Sequence, residues 1–160
     1  MEFTVSKADL QRELTFTQGV IERKTTIPIL ANLLIEAEEE TVRITATDLE
    51  LGIHCSFPAT VENPGSGTIP AKRLLDFVRL LPDEPVRLKC LENHWVSIVC
   101  GRSRTRIAGM SRDSYPELPV SPETAIELPA ATFRAMLGQT LFAISTEETR
   151  FTLNGALLVL

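Results

Sequence analysis

Apolar and polar positions alternate at Phe3-Thr-Val5, and the period then changes. Leu10, Leu14, Thr17 and Ile21 recur at helical spacing behind Ser6-Lys-Ala-Asp9, a serine cap with an acid three residues on. This predicts a short strand running into an amphipathic helix, closed by the basic pair Arg23-Lys24 before Pro28. Residues 29–37 and 41–47 predict two strands of a hairpin around Glu38-Glu39-Glu40, and residues 49–57 continue the sheet. Pro58 to Gly67, with Asn63-Pro-Gly-Ser-Gly67, predicts a loop. A second helix is predicted from Ile69-Pro70-Ala71, with Leu74, Leu75, Val78 and Leu81 on one face and Pro82 as its stop. Residues 86–90, 95–100 and 102–108 predict three further strands. Two-residue spacing places Arg102, Arg104 and Arg106 on one side of the last. Residues 111–122, with Pro116, Pro119 and Pro122, predict a semi-rigid linker. The pattern is α+β.

Beyond that linker the chain repeats its own beginning. A shift of 123 residues lays Phe3 on Ile126, Val5 on Leu128 and Leu10 on Phe133 without a gap. Seven of 33 aligned residues are identical, among them Leu14/Leu137, Ile21/Ile144, Leu30/Leu153 and Leu34/Leu157. The second copy is therefore expected to open with strand, helix and strand, its last strand being residues 156–160. On this reading the chain is a fragment of a tandem array of modules of about 120 residues. Two unrelated strand-helix-strand units remain the alternative.

With 44% hydrophobic and 23% charged residues, the chain is globular, and disorder, collagen and coiled coil are excluded. No basic and apolar leader opens it and no run approaches the ~18 apolar residues of a spanning helix, so a cytoplasmic protein without membrane contact is expected. Cys55, Cys90 and Cys100 are odd in number and lack Cys-x-x-Cys spacing. Reduced core thiols are expected, with a buried thiol pair or a redox role as the alternative.

Sixteen Lys+Arg against 21 Asp+Glu leave a net charge of −5, which argues against a protein that grips nucleic acid with its whole surface. The charges are nonetheless segregated. Residues 36–50 hold six acids against Arg43, while residues 101–112 hold four arginines and no acid, and Lys72, Arg73 and Arg79 sit on the second helix beside Asp76. One basic surface facing phosphates explains this, and so do ordinary solvated faces. No catalytic constellation assembles. His54 and His94 lack zinc-site companions, Gly65-Ser-Gly67 lacks the remainder of a nucleotide loop, and Gly101-Arg-Ser103 lacks the closing glycine of a nucleophile elbow. Asp48 and Glu50 come nearest to paired carboxylates, and a turn or sheet edge accounts for them better. No metal and no cofactor are expected.

Several segments, taken in order, carry a resemblance. Met1-Glu-Phe-Thr-Val, Thr26-Ile-Pro-Ile-Leu30-Ala-Asn-Leu-Leu34, Thr45-Ala-Thr-Asp-Leu-Glu50, Thr68-Ile-Pro-Ala-Lys72, Gly101-Arg-Ser-Arg104, Tyr115-Pro-Glu-Leu118 and Arg150-Phe-Thr-Leu-Asn-Gly155 resemble the beta subunits of bacterial DNA polymerase III, the sliding clamps. The resemblance implies the DNA clamp fold, α+β, with antiparallel sheets, two helices per domain and the helices lining the DNA-facing side. It implies a complete first clamp domain over 1–120 and the start of a second over 121–160. The expected function is a non-catalytic processivity factor that encircles duplex DNA. A protein-interaction scaffold that does not encircle DNA is the alternative.

Carried residue by residue, the resemblance implies DNA contacts at Arg23, Lys24, Lys72 and Phe151, and Arg12 and Lys72 turned toward the hole. It implies part of a partner-peptide pocket at Arg150 and Leu153, and a dimer interface at Arg73, Arg102, Arg104 and Ile107. Thr152 departs from an aromatic family position, and Thr105 stands where a larger apolar residue often sits. The implied partners are double-stranded DNA, the replicative polymerase, the clamp loader, and repair polymerases and ligase through short peptide motifs. A homodimer is implied for the full-length protein and a monomer for this fragment.

Overall fold

The computed structural model describes residues 1–21, 26–118, 127–147 and 149–159, and only the backbone at Phe151. They fall into two compact units, Met1–Leu118 and Pro119–Leu160.

In the first unit β1 (Glu2–Val5) leads into α1 (Lys7–Thr17). Then come β2 (Asn32–Glu38), β3 (Thr41–Thr47), β4 (Gly52–Pro58), β5 (Thr60–Asn63) and β6 (Gly65–Pro70). They are followed by α2 (Ala71–Arg79), β7 (Val86–Cys90), β8 (Trp95–Cys100) and β9 (Ser103–Ala108). Two antiparallel sheets result, ordered β5-β1-β7-β8-β9 and β4-β3-β2-β6. Their inner faces share one core with both helices, in which Phe3, Leu10, Leu33, Ile44, Ile69, Leu74, Leu88 and Ile98 are fully enclosed. The class is α+β, as the alternation of periods implied.

Local chemistry accounts for the element ends. Ser6 Oγ accepts the Asp9 N–H at 3.1 Å and starts α1. The helix stops at Thr17 rather than Ile21 because the Thr17 hydroxyl donates back to Leu14 O at 2.8 Å, and Gly19, a poor helix former, follows. The N–H groups of Val20 and Ile21 both fold back onto Thr17 O. Pro28 brings a 3-10 turn over Pro28–Ala31, so the strand expected from Ile29 begins only at Asn32. Leu49 has positive φ, and Asp48 Oδ1 accepts the N–H groups of Glu50 (2.9 Å) and Leu51 (2.6 Å). That turn delays β4 to Gly52. The Leu51 bond above all lowers the Asp48 carboxyl below its usual pKa, which makes this acid a turn residue.

Two expectations are overturned. The loop over Pro58–Gly67 is in fact β5 and the first half of β6: β5 pairs with β1, and β6 pairs with β2 from Ala37↔Gly65 to Asn32↔Pro70. Turn-forming glycines occur there because β6 passes close to Met1 and Cys90; a Cβ on Gly67 would lie 2.8 Å from Cys90 Sγ. The linker over 111–122 is partly integral to the first unit. Tyr115 is buried with Ile29, Leu30 and Leu34 in a second apolar cluster, and its hydroxyl donates to Thr45 O at 3.0 Å. Burial pushes the Tyr115 phenol up to about 12. Residues 119–122 lie outside the described residues. All three cysteines are free, with Cys55 and Cys100 buried and Cys90 partly so. Burial raises each thiol, which makes them inert core groups.

The second unit holds α3 (Ala130–Thr140), which is α1 displaced by 123 residues, and a 3-10 turn at Phe151–Leu153 where the same shift places that of Pro28–Ala31. The strands expected over 126–128 and 156–160 do not form in its described residues; 127–129 and 156–159 have no regular structure, and Ile126 and Leu160 lie outside the description. In the first unit β1 pairs with β5 and β7, and β2 with β3 and β6, all later in the chain. The second unit has no such strands among its described residues, and a strand without a neighbour has no ladder. The face of α3 matching the buried face of α1 stays open, with Phe133 40% exposed.

Candidate nucleic-acid interface

Most cations on the first unit occupy two faces rather than the one that the charge counts allowed. On the helices, burial of Leu10, Leu14 and Thr17 in α1 and of Leu74, Leu75 and Val78 in α2 turns Arg12, Lys72, Arg73 and Arg79 to the surface. Lys7 Nζ donates to Leu81 O and ties the start of α1 to the end of α2. Arg12 is held by Asp9 at 2.9 Å and Glu13 at 2.8 Å, and the Glu13 hydrogen bond first of all raises its pKa further. Arg79 is 4.0 Å from Asp76 and donates to Gln18 Oε1 at 3.3 Å. Lys72 and Arg73 are exposed and have no ion pair among the described residues. The helix face therefore offers its least compensated charge at the start of α2. Arg23 and Lys24 lie outside the described residues.

The second face is the outer side of the five-stranded sheet. Alternation in β7 sends Val86 and Leu88 inward and Arg87 and Lys89 outward. These two close over Glu2, whose side chain is 6% exposed: Lys89 Nζ lies 2.9 Å from Glu2 Oε2, Arg87 meets Oε1, and Asn63 Nδ2 donates to Oε2 at 3.2 Å. Arg104 and Arg106 of β9 project from the same face. Arg102 does not belong to this strand, because it forms the turn between β8 and β9 with Gly101, whose φ is +53°. Sequence reasoning missed Arg87, Lys89 and Glu2, although the alternation of Val86-Arg-Leu-Lys89 carries the signal.

The hydrogen bond from Lys89, with the charges of Arg87 and Lys89, holds the Glu2 carboxyl below the usual glutamate pKa. A carboxyl lowered on folding stabilises the protein above its unfolded pKa of about 4.3, and this contribution is lost as the pH falls through the folded value. Glu2→Gln should accordingly lower Tm more at pH 7 than at pH 3. A Tm deficit that is the same at both pH values would show that the ion pairs contribute nothing.

At the free edge of this sheet, β9 pairs only with β8. Arg104 is exposed there, whereas Ile107 is 7% exposed and packs into the core, so the edge presents the Ile107 backbone. In the second unit, Arg150 Nε pairs with Glu147 at 2.7 Å, and the Leu153 N–H donates to Arg150 O at 2.8 Å. Leu153 is exposed in the same turn, while the Phe151 side chain is not described. Among the described residues no group of three metal-ligating side chains gathers. Among the described residues no helix is long and apolar enough to cross a membrane.

Two antiparallel sheets sharing a core with two helices define an α+β domain of the clamp class. The first 119 residues match the family model described as DNA polymerase III beta subunit, N-terminal domain, and the chain belongs to that family. The beta sliding clamp of Staphylococcus aureus (strain Mu50) is 35% identical across 97% of this chain and 44% of its own length, and that of Staphylococcus epidermidis is 34% identical with the same coverage. Among solved structures, the sliding clamp of Bartonella birtlesii bound to griselimycin is similar at a TM-score of 0.90 and 38% identity, covering 97% of this chain and 42% of that one. The pol III beta of Caulobacter crescentus is similar at 0.89 and 36%, with the same coverage. The chain thus spans less than half the length of these relatives.

Proposed function

We propose that this chain is the first domain and the opening of the second of a ring-shaped sliding clamp, the non-catalytic processivity factor of bacterial DNA replication in the cytoplasm. The complete first clamp domain is 1–120, and 121–160 begins the next. The observation that most supports this is exposed positive charge at Lys72 and Arg73, without an ion pair among the described residues, on the helix face of a chain with net charge −5. Sparse contacts of lysine and arginine to phosphates carry no base readout and leave a ring free to slide, while the acidic total keeps the overall attraction to duplex DNA weak. Retention then comes from topology rather than affinity.

In this proposal Arg23, Lys24, Lys72 and Phe151 contact duplex DNA. Arg150 and Leu153 begin the pocket for short peptide motifs of the replicative polymerase, the clamp loader, repair polymerases and ligase. Arg73, Arg102 and Arg104, with the backbone at Ile107, form the edge that closes a homodimeric ring by ion pairs and strand addition. The 160-residue chain by itself is a monomer in this proposal.

The test uses the full-length protein, loaded by its own loader with ATP onto nicked circular duplex DNA. Retention at high salt that disappears when the circle is cut supports encirclement. Equal retention on circle and linear DNA would make the protein an ordinary surface binder or scaffold. Lys72→Gln should also flatten the salt dependence of duplex binding by up to about 0.9 in logarithmic slope. An unchanged slope removes Lys72 from the contacts.

A further inference from the structure

We propose that the outer face of the five-stranded sheet binds single-stranded nucleic acid, which lies along β8 between two walls of cations and stacks a base on Trp95. The register builds the trough. Lys89 is opposite Ser97 and Ser97 opposite Arg106, while Arg87 is opposite Val99 and Val99 opposite Arg104. Small side chains thus form the floor, and a cation stands one strand away on either side. Two shallow grooves follow this line, one bordered by Glu2, Arg87 and Lys89 and the other by Arg104 and Arg106, with Ser97 and Val99 common to both. Strand spacing sets the walls about 10 Å apart, and the two-residue repeat sets successive cations about 7 Å apart along the trough, room for one extended chain with phosphates on both sides of its path.

The charge balance favours an anion. Glu2 offsets one charge of the Arg87–Lys89 pair, and Arg104 and Arg106 have no ion pair among the described residues. Glu62, on β5, is three strands from β8 and accepts the Thr4 hydroxyl. Trp95 then selects the kind of anion. Val96 and Ile98 point into the core, so Trp95 projects from the same face as Ser97 at the end of the trough, and it is 42% exposed. An aromatic ring beside a cationic track is the arrangement that holds unpaired bases, because stacking requires a free base face that a duplex keeps inside and an acidic peptide lacks. This surface is separate from the helix face and shares only Arg104 with the edge proposed to close the ring, so the test uses the 160-residue chain and the variants spare Arg104.

Trp95 is the sole tryptophan, so it reports on its own surface. Titration of the 160-residue chain with a short oligothymidylate at low salt should quench its fluorescence saturably. The logarithmic salt slope should be near about −2, from roughly 0.7 per phosphate contact and three uncompensated charges. Arg106→Gln should flatten the slope by about 0.7, and Arg106→Gln with Lys89→Gln should flatten it further. Arg43→Gln, which removes an exposed cation from the other sheet, should leave both quenching and slope unchanged. Absence of quenching overturns the proposal, as does a salt slope that Arg106→Gln leaves unchanged. Equal quenching of Trp95 by duplex DNA or by polyglutamate of matched charge also overturns it, since either would mean that the signal does not come from stacking of an unpaired base.

Discussion

Phe3→Ala is expected to destabilise the first unit by about 3–5 kcal/mol, the cost of emptying a closed aromatic site. Phe3 is only two residues from the amino terminus, where chains usually tolerate truncation. Here β1 is an interior strand, with Phe3 opposite Val61 of β5 on one side and Leu88 of β7 on the other. Its side chain is completely enclosed and belongs to the core shared by both sheets and both helices. Urea unfolding followed by far-ultraviolet circular dichroism measures the loss. A change below about 1 kcal/mol, the range of an exposed site, would mean that β1 is an edge and that the sheet order is wrong.

Gly109→Ala should be nearly as damaging, at about 3 kcal/mol, whereas Gly67→Ala should cost about 1 kcal/mol. A Cβ on Gly109 would lie 1.9 Å from Thr68 O and 2.9 Å from His94 O, both backbone atoms, the first held in β6 and the second in the turn before β8. The Thr68 hydroxyl further pins this crossing, donating to Met110 O at 2.8 Å while accepting the Met110 N–H at 2.9 Å and Asn32 Nδ2 at 3.0 Å. A Cβ on Gly67 meets the Cys90 sulfur at 2.8 Å, a side chain that can be shortened. Cys90→Ala should therefore recover most of the Gly67→Ala loss and none of the Gly109→Ala loss. Equal costs for the two glycines, read from the same urea curves, would contradict the close approach of β6 to the segment after β9.

The amphipathic stripes of α1 and α2, the hairpin at Glu39-Glu40 and the strands β7 and β8 were legible because each depends on spacing within about a dozen residues. The 123-residue repeat was legible in its helix, since α3 needs only its own backbone bonds, and not in its strands, which need partners from elsewhere. The Pro58–Gly67 segment misled for the opposite reason. Its glycines mark a close crossing of chains that no local pattern distinguishes from a turn. Of the implied site, Lys72 and Arg73 stand exposed where the helical spacing placed them, while Ile107 shows that strand alternation decides whether a side chain faces a neighbour or the core.

The sequence by itself determined the α+β class, the period and face of each helix, the inertness expected of the thiols, and membership of a family recognisable from ordered motifs. Tertiary structure alone decided which strands are neighbours, and with that the charges. It split most basic residues between a helix face and an outer sheet face, neutralised Arg12, left Lys72 without an ion pair among the described residues, and set Lys89 and Arg106 on either side of Ser97. The physical reason is that hydrophobic periodicity is a property of one segment, whereas charge compensation, burial at a crossing and the width of a groove depend on residues that only folding brings together.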